Sequence, residues 1–211
     1  MDAIITAGGI PAPGDPLYEQ TQGQPKALLD LLGQPMIQWV IDALDEGKTI
    51  ERIVVTGLDS AANLRIRKPH AFLPNEPSML ENIFAGARQL LKTDPAPRKM
   101  LFVSSDIPTI TGKIVDWMVT EAGKSDHDLY YNVVRRDAME KRFPGSRRSY
   151  TRLKDMEVCG GDITVFHSRL VTQHSDLWPR IIAARKNVFK QAALVGYGTL
   201  ILLMLRRLSL N

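Results

Sequence analysis

The chain has 211 residues, of which 44% are hydrophobic and 24% are charged, proportions that allow a globular fold with a core of useful size. This composition excludes intrinsic disorder, a collagen-like repeat and a disulfide scaffold, and the length predicts one domain over residues 1–211. The lone cysteine, Cys159, excludes an internal disulfide, and the formal net charge of +4 is too small to indicate a partner.

The distribution of charge is more informative than its total. Residues 1–124 carry 12 Lys and Arg against 15 Asp and Glu, whereas residues 125–211 carry 15 against 8. Within the second half, the stretch 141–154 contains no acidic residue and holds the cations Lys141, Arg142, Arg147, Arg148, Arg152 and Lys154. This stretch predicts either a segment that binds an anion or a solvated basic loop.

Strands and helices alternate along the predicted fold. Short β-branched runs predict strands, and apolar residues at helical spacing predict helices. The strands are 3–6, 52–56, 100–103, 129–134 and 163–166, and the helices are 36–44, 79–91 and 111–122. Most of the strand runs are apolar throughout, as expected for a sheet covered on both faces. The order predicts an α/β sandwich with a largely parallel sheet, in which ligands bind beyond the carboxyl ends of the strands.

The first loop beyond a strand contains Thr6-Ala7-Gly8-Gly9, a proline-rich stretch over 10–24, and then Lys26. Paired glycines let backbone N–H groups approach a phosphate or a base, and the lysine supplies a positive charge for a polyphosphate. The spacing matches neither the dinucleotide fingerprint nor the phosphate loop, which disfavours a Rossmann dehydrogenase and a phosphate-loop kinase. The alternative is a glycine turn with a surface lysine.

The second such loop is Ser104-Ser105-Asp106-Ile107-Pro108, directly after the strand 100–103. A carboxylate at this position can hold Mg²⁺ against the phosphates of a nucleotide, because this ion takes a few protein oxygens together with water and substrate oxygens. The structural alternative is an Asx turn before a helix capped by Thr111. The loop therefore predicts a metal-binding carboxylate at the same sheet edge as the glycines and Lys26.

The two ends of the chain show no targeting or spanning segment. The start, Met1-Asp2, is acidic, and the apolar run after it is short, so the sequence predicts a cytoplasmic protein. The apolar stretch 192–205 falls short of a membrane span and predicts a buried helix within a C-terminal helical segment over 187–211. Contact with a membrane surface through Arg206 and Arg207 is the alternative.

Several of these segments together resemble one known family. They are Ala7-Gly8-Gly9, Pro25-Lys26-Ala27-Leu28, Gly33-Gln34-Pro35-Met36-Ile37, Leu80-Glu81-Asn82, Ser105-Asp106-Ile107-Pro108 and Gly160-Gly161-Asp162. The chain resembles, over most of its length, the nucleoside-triphosphate transferases that include molybdenum cofactor guanylyltransferase and sugar-phosphate nucleotidylyltransferases. The resemblance implies a Rossmann-like three-layer α/β/α sandwich with a mostly parallel, mixed sheet. It also implies a Mg²⁺-dependent enzyme that joins an NTP to a phosphorylated acceptor and releases pyrophosphate.

The resemblance further implies roles for individual residues. Ala7, Gly8, Gly9 and Asn82 are expected to contact the nucleotide. Lys26 and Asp106 are expected to be catalytic, with Lys26 stabilising the phosphates and Asp106 binding the metal, and Asp162 is the candidate second metal ligand. The basic stretch, and not the resemblance, supplies the acceptor candidates: a substrate-covering loop over 141–160 is expected to replace a phosphate contact that the family makes elsewhere. The residues expected to bind the acceptor or its phosphate are Arg147, Arg148, Arg152, Lys154 and Gly161.

The sequence also departs from the family. Relatives usually carry an arginine between the glycines and the lysine, but residues 10–24 contain no arginine or lysine. A late acidic metal ligand has no obvious counterpart before Asn211, so we interpret the sequence as lacking the end of the family domain or as a reduced member. The alternatives are a molybdenum cofactor cytidylyl- or guanylyltransferase and a catalytically weakened nucleotide-binding module. Nucleic-acid binding is disfavoured, because Phe143 and Tyr150 are the only aromatics within the basic stretch.

Overall fold

The structure is a computed structural model that describes residues 1–59 and 63–173, together with positions 202, 207 and 209. Its strands are β1 (Asp2–Thr6), β2 (Asp30–Leu31), β3 (Gln34–Pro35), β4 (Arg52–Thr56), β5 (His70–Leu73), β6 (Lys99–Ser104), β7 (Leu129–Arg135), β8 (Thr151–Arg152) and β9 (Glu157–His167). Its helices are α1 (Tyr18–Thr21), α2 (Met36–Glu46), α3 (Met79–Thr93), α4 (Gly112–Gly123), α5 (Arg136–Arg142) and α6 (Arg169–Thr172). The predicted helical segment 187–211 lies outside the described residues, apart from those three positions.

The chain divides into two compact units, and the single domain over residues 1–211 stays a prediction. The first contains Met1–Tyr130 and Asp162–Val171, and the second contains Tyr131–Gly161 together with the described residues from Thr172 onward. Strand β9 runs through the boundary, so Gly161 belongs to the second unit and Asp162 to the first.

The sheet of the first unit is built around β1. This strand pairs in parallel with β4 on one side and with β6 on the other, and Thr6 lies opposite Thr56 and Ser104. Strand β5 adds to β4 in parallel, and the second half of β9 adds to β6 antiparallel. The strand order is therefore β5-β4-β1-β6-β9. This arrangement confirms the predicted mixed sheet with mostly parallel strands.

Helices cover both faces of this sheet. Alternate strand residues such as Ala3, Ile5 and Val103 form one buried cluster with side chains of α2 and α4. The opposite face carries Ile4, against which α3 packs closely. A Cβ at Gly86 of α3 would lie 2.7 Å from Ile4 Cγ2, so a glycine at this position permits the short distance between helix and sheet. The three layers of the predicted sandwich are thus present.

Most predicted elements lie where the structure has them. The short elements α1, β2, β3, β5, α5, β8 and α6 were not predicted. Strand β5 was not predicted, because its residues His70-Ala71-Phe72-Leu73 include no β-branched side chain. Strand β9 begins at Glu157 instead of at residue 163, because its first residues pair with β8. Strand β7 differs from the fully apolar pattern of most of the predicted strands. Its residues Leu129, Tyr131 and Val133 are exposed and alternate with partly buried residues, as in a strand covered on one face.

The second unit holds the whole stretch that was predicted as a loop over 141–160. Residues 141–142 end α5, 151–152 form β8, and 157–160 lie in β9. The Tyr150 hydroxyl donates to Glu140 Oε1 at 2.8 Å, and the Arg136 guanidinium lies 5.1 Å from the centre of the Tyr150 ring. Leu153 is buried. The irregular backbone is therefore limited to 143–150 and 153–156, and contacts within the unit attach both parts.

No helix in the described part of the chain is long and apolar enough to cross a membrane.

A buried carboxylate joins the strands at the edge of the sheet opposite the glycine loop. Asp2 begins β1 and has only 1% of its side chain exposed. It accepts hydrogen bonds from Arg52 Nε at 2.8 Å and Nη2 at 2.6 Å, and from Arg98 Nη1 at 3.3 Å. A charge buried in this way is tolerated because the two guanidinium groups satisfy it.

We expect Asp2→Ala to lower the free energy of unfolding by about 3 kcal/mol, because two partly buried guanidinium groups would lose their carboxylate. Urea denaturation followed by circular dichroism measures this change. Glu51→Ala is the matched control, since Glu51 also forms an ion pair, with the terminal amine, but is 74% exposed. We expect it to cost less than about 1 kcal/mol. Equal losses in the two variants would contradict the structural role of Asp2.

Candidate active site

A cleft of about 280 Å³ opens in the first unit beyond the carboxyl ends of β1 and β6 and beside the start of α3. Its walls are formed by the glycine loop, by the segment before α3 and by the end of β6. The lining residues are Thr6, Gly8, Gly9, Lys26, Asn75, Glu76, Pro77, Ser78, Met79, Asn82, Ser104 and Ser105. This is the sheet edge at which the sequence predicted the functional loops.

The glycine loop and Lys26 contact each other directly. The Lys26 N–H donates to the Gly9 carbonyl at 2.9 Å, so the chain leaves the sheet at Gly9 and returns to it at Lys26. A Cβ at Gly9 would lie 3.2 Å from Lys26 Cε, closer than side chains normally pack. The missing side chain of Gly9 therefore lets the aliphatic part of Lys26 lie over the loop.

Lys26 and Asp106 form an ion pair at this edge, although 80 residues separate them in sequence. Lys26 Nζ lies 2.5 Å from Asp106 Oδ2, and each side chain is 34% exposed. The Ser104 hydroxyl donates to the other carboxylate oxygen, Asp106 Oδ1. One positive and one negative group thus meet in a partly shielded position.

The surroundings of Asp106 keep it ionised. Burial raises the pKa of this carboxyl, but hydrogen bonds from Lys26 and Ser104 and the charge of Lys26 outweigh burial, and the pKa is below its ordinary value. A lowered pKa in the folded state means that the group stabilises the fold above its unfolded pKa. This contribution is lost only as the pH falls through the lowered value. Asp106 is therefore a carboxylate at neutral pH.

Asn82 of α3 holds the segment before its own helix. Its Nδ2 donates to Asn75 Oδ1 at 3.0 Å and to the Ser78 carbonyl at 3.1 Å, and its Oδ1 accepts from the Glu76 N–H at 3.1 Å. Only 4% of the residue is exposed. Asn82 lines the cleft, and its amide also fixes residues 75–78, which form one wall of it.

The amino end of α3 lies at the cleft. Ser78 caps the helix, because its hydroxyl oxygen accepts from the Glu81 N–H at 3.2 Å and the hydroxyl donates to Glu81 Oε2 at 2.8 Å. Ser78 and Met79 both line the cleft. The partial positive charge of a helix amino terminus favours an anion, so this wall adds to the positive potential from Lys26.

Two glycines allow the strand ends to crowd together. Gly57, directly after β4, has a φ of +93°, and a Cβ on it would overlap the backbone of Gly8. A Cβ on Gly8 would in turn overlap the side-chain amide of Asn75. Neither position has room for a larger residue without movement, so the shape of the cleft depends on both.

The structure brings together most of the nucleotide and phosphate residues that the sequence singled out. Gly8, Gly9, Lys26 and Asn82 line the cleft, and Asp106 is attached to it through Lys26. Ala7 is different, because it is only 1% exposed and is not among the lining residues. Its N–H donates to the Thr56 carbonyl at 2.8 Å, which joins the ends of β1 and β4.

Of the two candidate metal ligands, Asp106 follows β6 and Asp162 lies in the neighbouring strand β9. Ile163 pairs with Val103, so Asp162 lies in β9 at the level where β6 ends and leads to Asp106. Within the described residues, no group of three or more His, Cys, Asp or Glu side chains is gathered around a potential metal position. Mg²⁺ is commonly held by one or two carboxylates plus substrate oxygens, so a single ionised Asp106 fits that mode of binding.

The predicted acceptor residues lie in the second unit. Arg147, Arg148, Arg152 and Lys154 are exposed, and Arg147 has a φ of +50° next to the turn at Gly145. Gly161 is packed more closely, since a Cβ on it would overlap the side-chain amide of Asn132.

Comparison with known proteins places the chain in a family. The family model of the MobA-like NTP transferase domain matches residues 3–193. The chain belongs to the MobA-like NTP transferase family. The implied fold and the assignment to the nucleotidyltransferases are therefore confirmed.

Solved structures agree with this assignment. A hypothetical transferase from Thermus thermophilus is 32% identical, with a TM-score of 0.80 over 99% of this chain and 83% of that chain. The CMP:2-keto-3-deoxy-manno-octonic acid synthetase, solved with CTP, is 15% identical, with a TM-score of 0.60 over 94% of this chain and 86% of its own. The 4-diphosphocytidyl-2C-methyl-D-erythritol synthase from Anaerococcus prevotii is 12% identical, with a TM-score of 0.59 over 93% and 82%. The last two similarities concern the fold alone.

Sequence reasoning missed several residues that form the cleft of this NTP transferase. Asn75, Glu76 and Ser78 follow the unpredicted strand β5, and Ser104 was read only as part of the loop around Asp106. Two signals were available in the sequence. Pro74-Asn75 ends a short apolar run, and Ser78 with Glu81 has the spacing of a capping box.

We expect Gly8→Ala to displace the side chain of Asn75, because the new methyl group would overlap its amide. The overlap should lower the free energy of unfolding by about 1–3 kcal/mol, as overpacking does, and weaken nucleotide binding. Thermal unfolding and calorimetric titration with an NTP measure the two effects.

Gly123→Ala is the control for Gly8→Ala, since a Cβ at Gly123 meets nothing within 4 Å. The double variant Gly8→Ala/Asn75→Ala should recover part of the lost stability, because it removes the group that the methyl would strike. A Gly8→Ala protein as stable as Gly123→Ala would contradict the steric argument.

Proposed function

We propose that this chain is a Mg²⁺-dependent nucleotidyltransferase that joins an NTP to a phosphorylated small-molecule acceptor and releases pyrophosphate. The main support is the meeting of Lys26 and Asp106, 2.5 Å apart, beside a glycine loop at the carboxyl edge of a parallel sheet. Membership of the MobA-like NTP transferase family supports the NTP as one substrate. We further propose that the protein acts in the cytoplasm.

The nucleotide side of the reaction is assigned to the cleft of the first unit. Gly8 and Gly9 offer backbone N–H groups without side chains in the way, and Asn82 and Ser78 support the opposite wall. Lys26 is the only lysine or arginine among the lining residues, so it is the residue that neutralises phosphate charge there. Asn75 adds a polar side chain that can distinguish one base or ribose from another.

Asp106 is the residue that we assign to the metal. It is ionised, and its carboxylate is already oriented by the Ser104 hydroxyl, which fits a site for a hard cation. Asp162 is the further candidate ligand, from the neighbouring strand. When bound, Mg²⁺ supplies charge stabilisation at the phosphates and at the departing pyrophosphate.

The proposed reaction requires little proton transfer by the protein. An oxygen of the acceptor phosphate attacks the α-phosphorus. The bond from that phosphorus to the oxygen bridging to the β-phosphate breaks, and pyrophosphate leaves with the bonding electrons. The acceptor phosphate is already ionised and needs no general base. Phosphoryl-type transfer is accelerated mainly by positioning and by charge neutralisation, which are the contributions that Lys26 and the cleft backbone can make.

Cytidine triphosphate is the first nucleotide to test. One solved structure of similar fold was determined with CTP, and another, at 13% identity and a TM-score of 0.56 over 81% of this chain and 72% of its own, is named an inositol-1-phosphate CTP transferase from T. maritima. The second of these names suggests a phosphorylated polyol as acceptor. A molybdenum cofactor acceptor is the alternative from the family resemblance.

The direct test incubates the protein with each NTP, Mg²⁺ and a panel of sugar phosphates, inositol phosphate and molybdopterin, while pyrophosphate release is recorded. We expect Lys26→Met and Asp106→Asn each to lower kcat by about 10²–10³, because each removes one group that stabilises charge in the transition state. Lys113→Met and Asp15→Asn, exposed residues outside the cleft, are the matched controls. NTP binding without turnover on any acceptor would favour the weakened nucleotide-binding module instead.

The acceptor side is assigned to Arg147, Arg148, Arg152, Lys154 and Gly161. We expect the double variant Arg147→Gln/Arg152→Gln to raise KM for the acceptor about tenfold, the equivalent of one charge-assisted hydrogen bond, and to leave KM for the NTP unchanged. Steady-state kinetics with each substrate varied in turn measures this difference. Arg135→Gln is the control, because Arg135 is exposed in the same unit but pairs with Asp137 at 2.9 Å. An equal rise in both KM values would contradict an acceptor-specific role.

A further inference from the structure

We propose that Lys26 and Asp106 form an exchangeable ion pair that couples nucleotide binding to divalent-cation binding. Without ligands, each residue neutralises the other. When a triphosphate and a cation bind at the same time, Lys26 contacts the triphosphate and Asp106 contacts the cation. The inference rests on the proposed function, because it assigns a regulatory property to the same cleft.

The geometry of the pair supports an exchange. Lys26 Nζ lies 2.5 Å from Asp106 Oδ2, and both side chains are 34% exposed, so incoming ligands can reach them. The Lys26 side chain is flexible and lies along Gly9, whereas Asp106 is held through its other oxygen by Ser104. When Lys26 turns towards phosphate oxygens, Asp106 therefore remains in place. Ser104 is a positioning residue in this scheme.

The charges in the cleft make the exchange costly for either ligand alone. A metal-free triphosphate must draw Lys26 away and leave an unpaired carboxylate next to its own negative charges. A cation without nucleotide must displace the ammonium group from Asp106. When both ligands bind, the triphosphate neutralises Lys26 and the cation neutralises Asp106. Neither residue is then left with an unpaired charge. Linkage then requires each ligand to raise the affinity for the other by the same factor.

A different arrangement would abolish the coupling. The lysine ammonium group has three donors, so Lys26 could keep Asp106 and contact a phosphate at the same time. In that case removal of the Asp106 carboxylate would change the affinity for the nucleotide only by relieving its charge repulsion with the triphosphate. A double-mutant cycle separates the two cases, because it isolates the part of the effect of Asp106 that requires Lys26.

The experiment measures binding of CTP and of GTP by isothermal titration calorimetry, in EDTA and in Mg²⁺. The proteins are the wild type, Asp106→Asn, Lys26→Met and Lys26→Met/Asp106→Asn. We expect Asp106→Asn to tighten metal-free binding about tenfold, within the usual range of coupling between sites, and to remove the gain from Mg²⁺. In the Lys26→Met background, Asp106→Asn should produce no such tightening.

Glu76→Gln is the matched control for charge alone. Glu76 lines the same cleft, so the variant changes the cleft charge by the same amount without releasing Lys26. We expect its effect on metal-free binding to be much smaller than that of Asp106→Asn. Equal tightening by Glu76→Gln and Asp106→Asn, or equal tightening by Asp106→Asn in both Lys26 backgrounds, would overturn the exchange.

A second measurement does not depend on the folding of Asp106→Asn. Binding of Mn²⁺ without nucleotide is followed by electron paramagnetic resonance in the wild type, in Lys26→Met and in Lys113→Met. We expect Lys26→Met to bind Mn²⁺ about tenfold more tightly, because Asp106 has lost its partner. Unchanged Mn²⁺ affinity would contradict the exchange. Failure of every protein to bind NTP in Mg²⁺ would instead contradict the proposed function itself.

Discussion

The parallel pairing of β1 with both β4 and β6 is the constraint on which the cleft depends. Thr6 lies opposite Thr56 on one side and Ser104 on the other, so the three strands end at one level. The residues that follow them, from Ala7, Gly57 and Ser105 onward, must therefore leave the sheet at the same edge. This common level is why Lys26, after a long excursion, returns to Gly9 within reach of Asp106.

Because β1, β4 and β6 end at one level, the chain segments that follow them are crowded as well as close to one another. Three chain segments leave the sheet side by side, and glycines at 8 and 57 supply the space that side chains would occupy. Asn75 fills the space above Gly8, and Asn82 holds Asn75 by a hydrogen bond at 3.0 Å. The glycines therefore do more than expose backbone N–H groups to a phosphate. They also allow an amide from the next loop to close one wall of the cleft.

The sequence was sufficient to predict features that depend on local pattern. The β-branched runs located β1, β4 and β6, and the apolar spacing located α2, α3 and α4, because each element buries a continuous stripe or core. Features that depend on contacts between residues far apart in the sequence could not be predicted in this way. Strand β5 exists through its pairing with β4, and β9 extends to Glu157 because β8 lies beside it. The direct contact between Lys26 and Asp106 could be expected only as a shared sheet edge.

The charge asymmetry of the sequence also has a structural interpretation. In the acidic first half, Asp2 is neutralised by Arg52 and Arg98, and Asp106 by Lys26. In the basic second half, Glu157 pairs with Arg136 at 2.8 Å, and Glu140 accepts the Tyr150 hydroxyl. Both carboxylates lie near the stretch 141–154 in sequence. Each is engaged within its own unit, as Asp2 and Asp106 are in theirs.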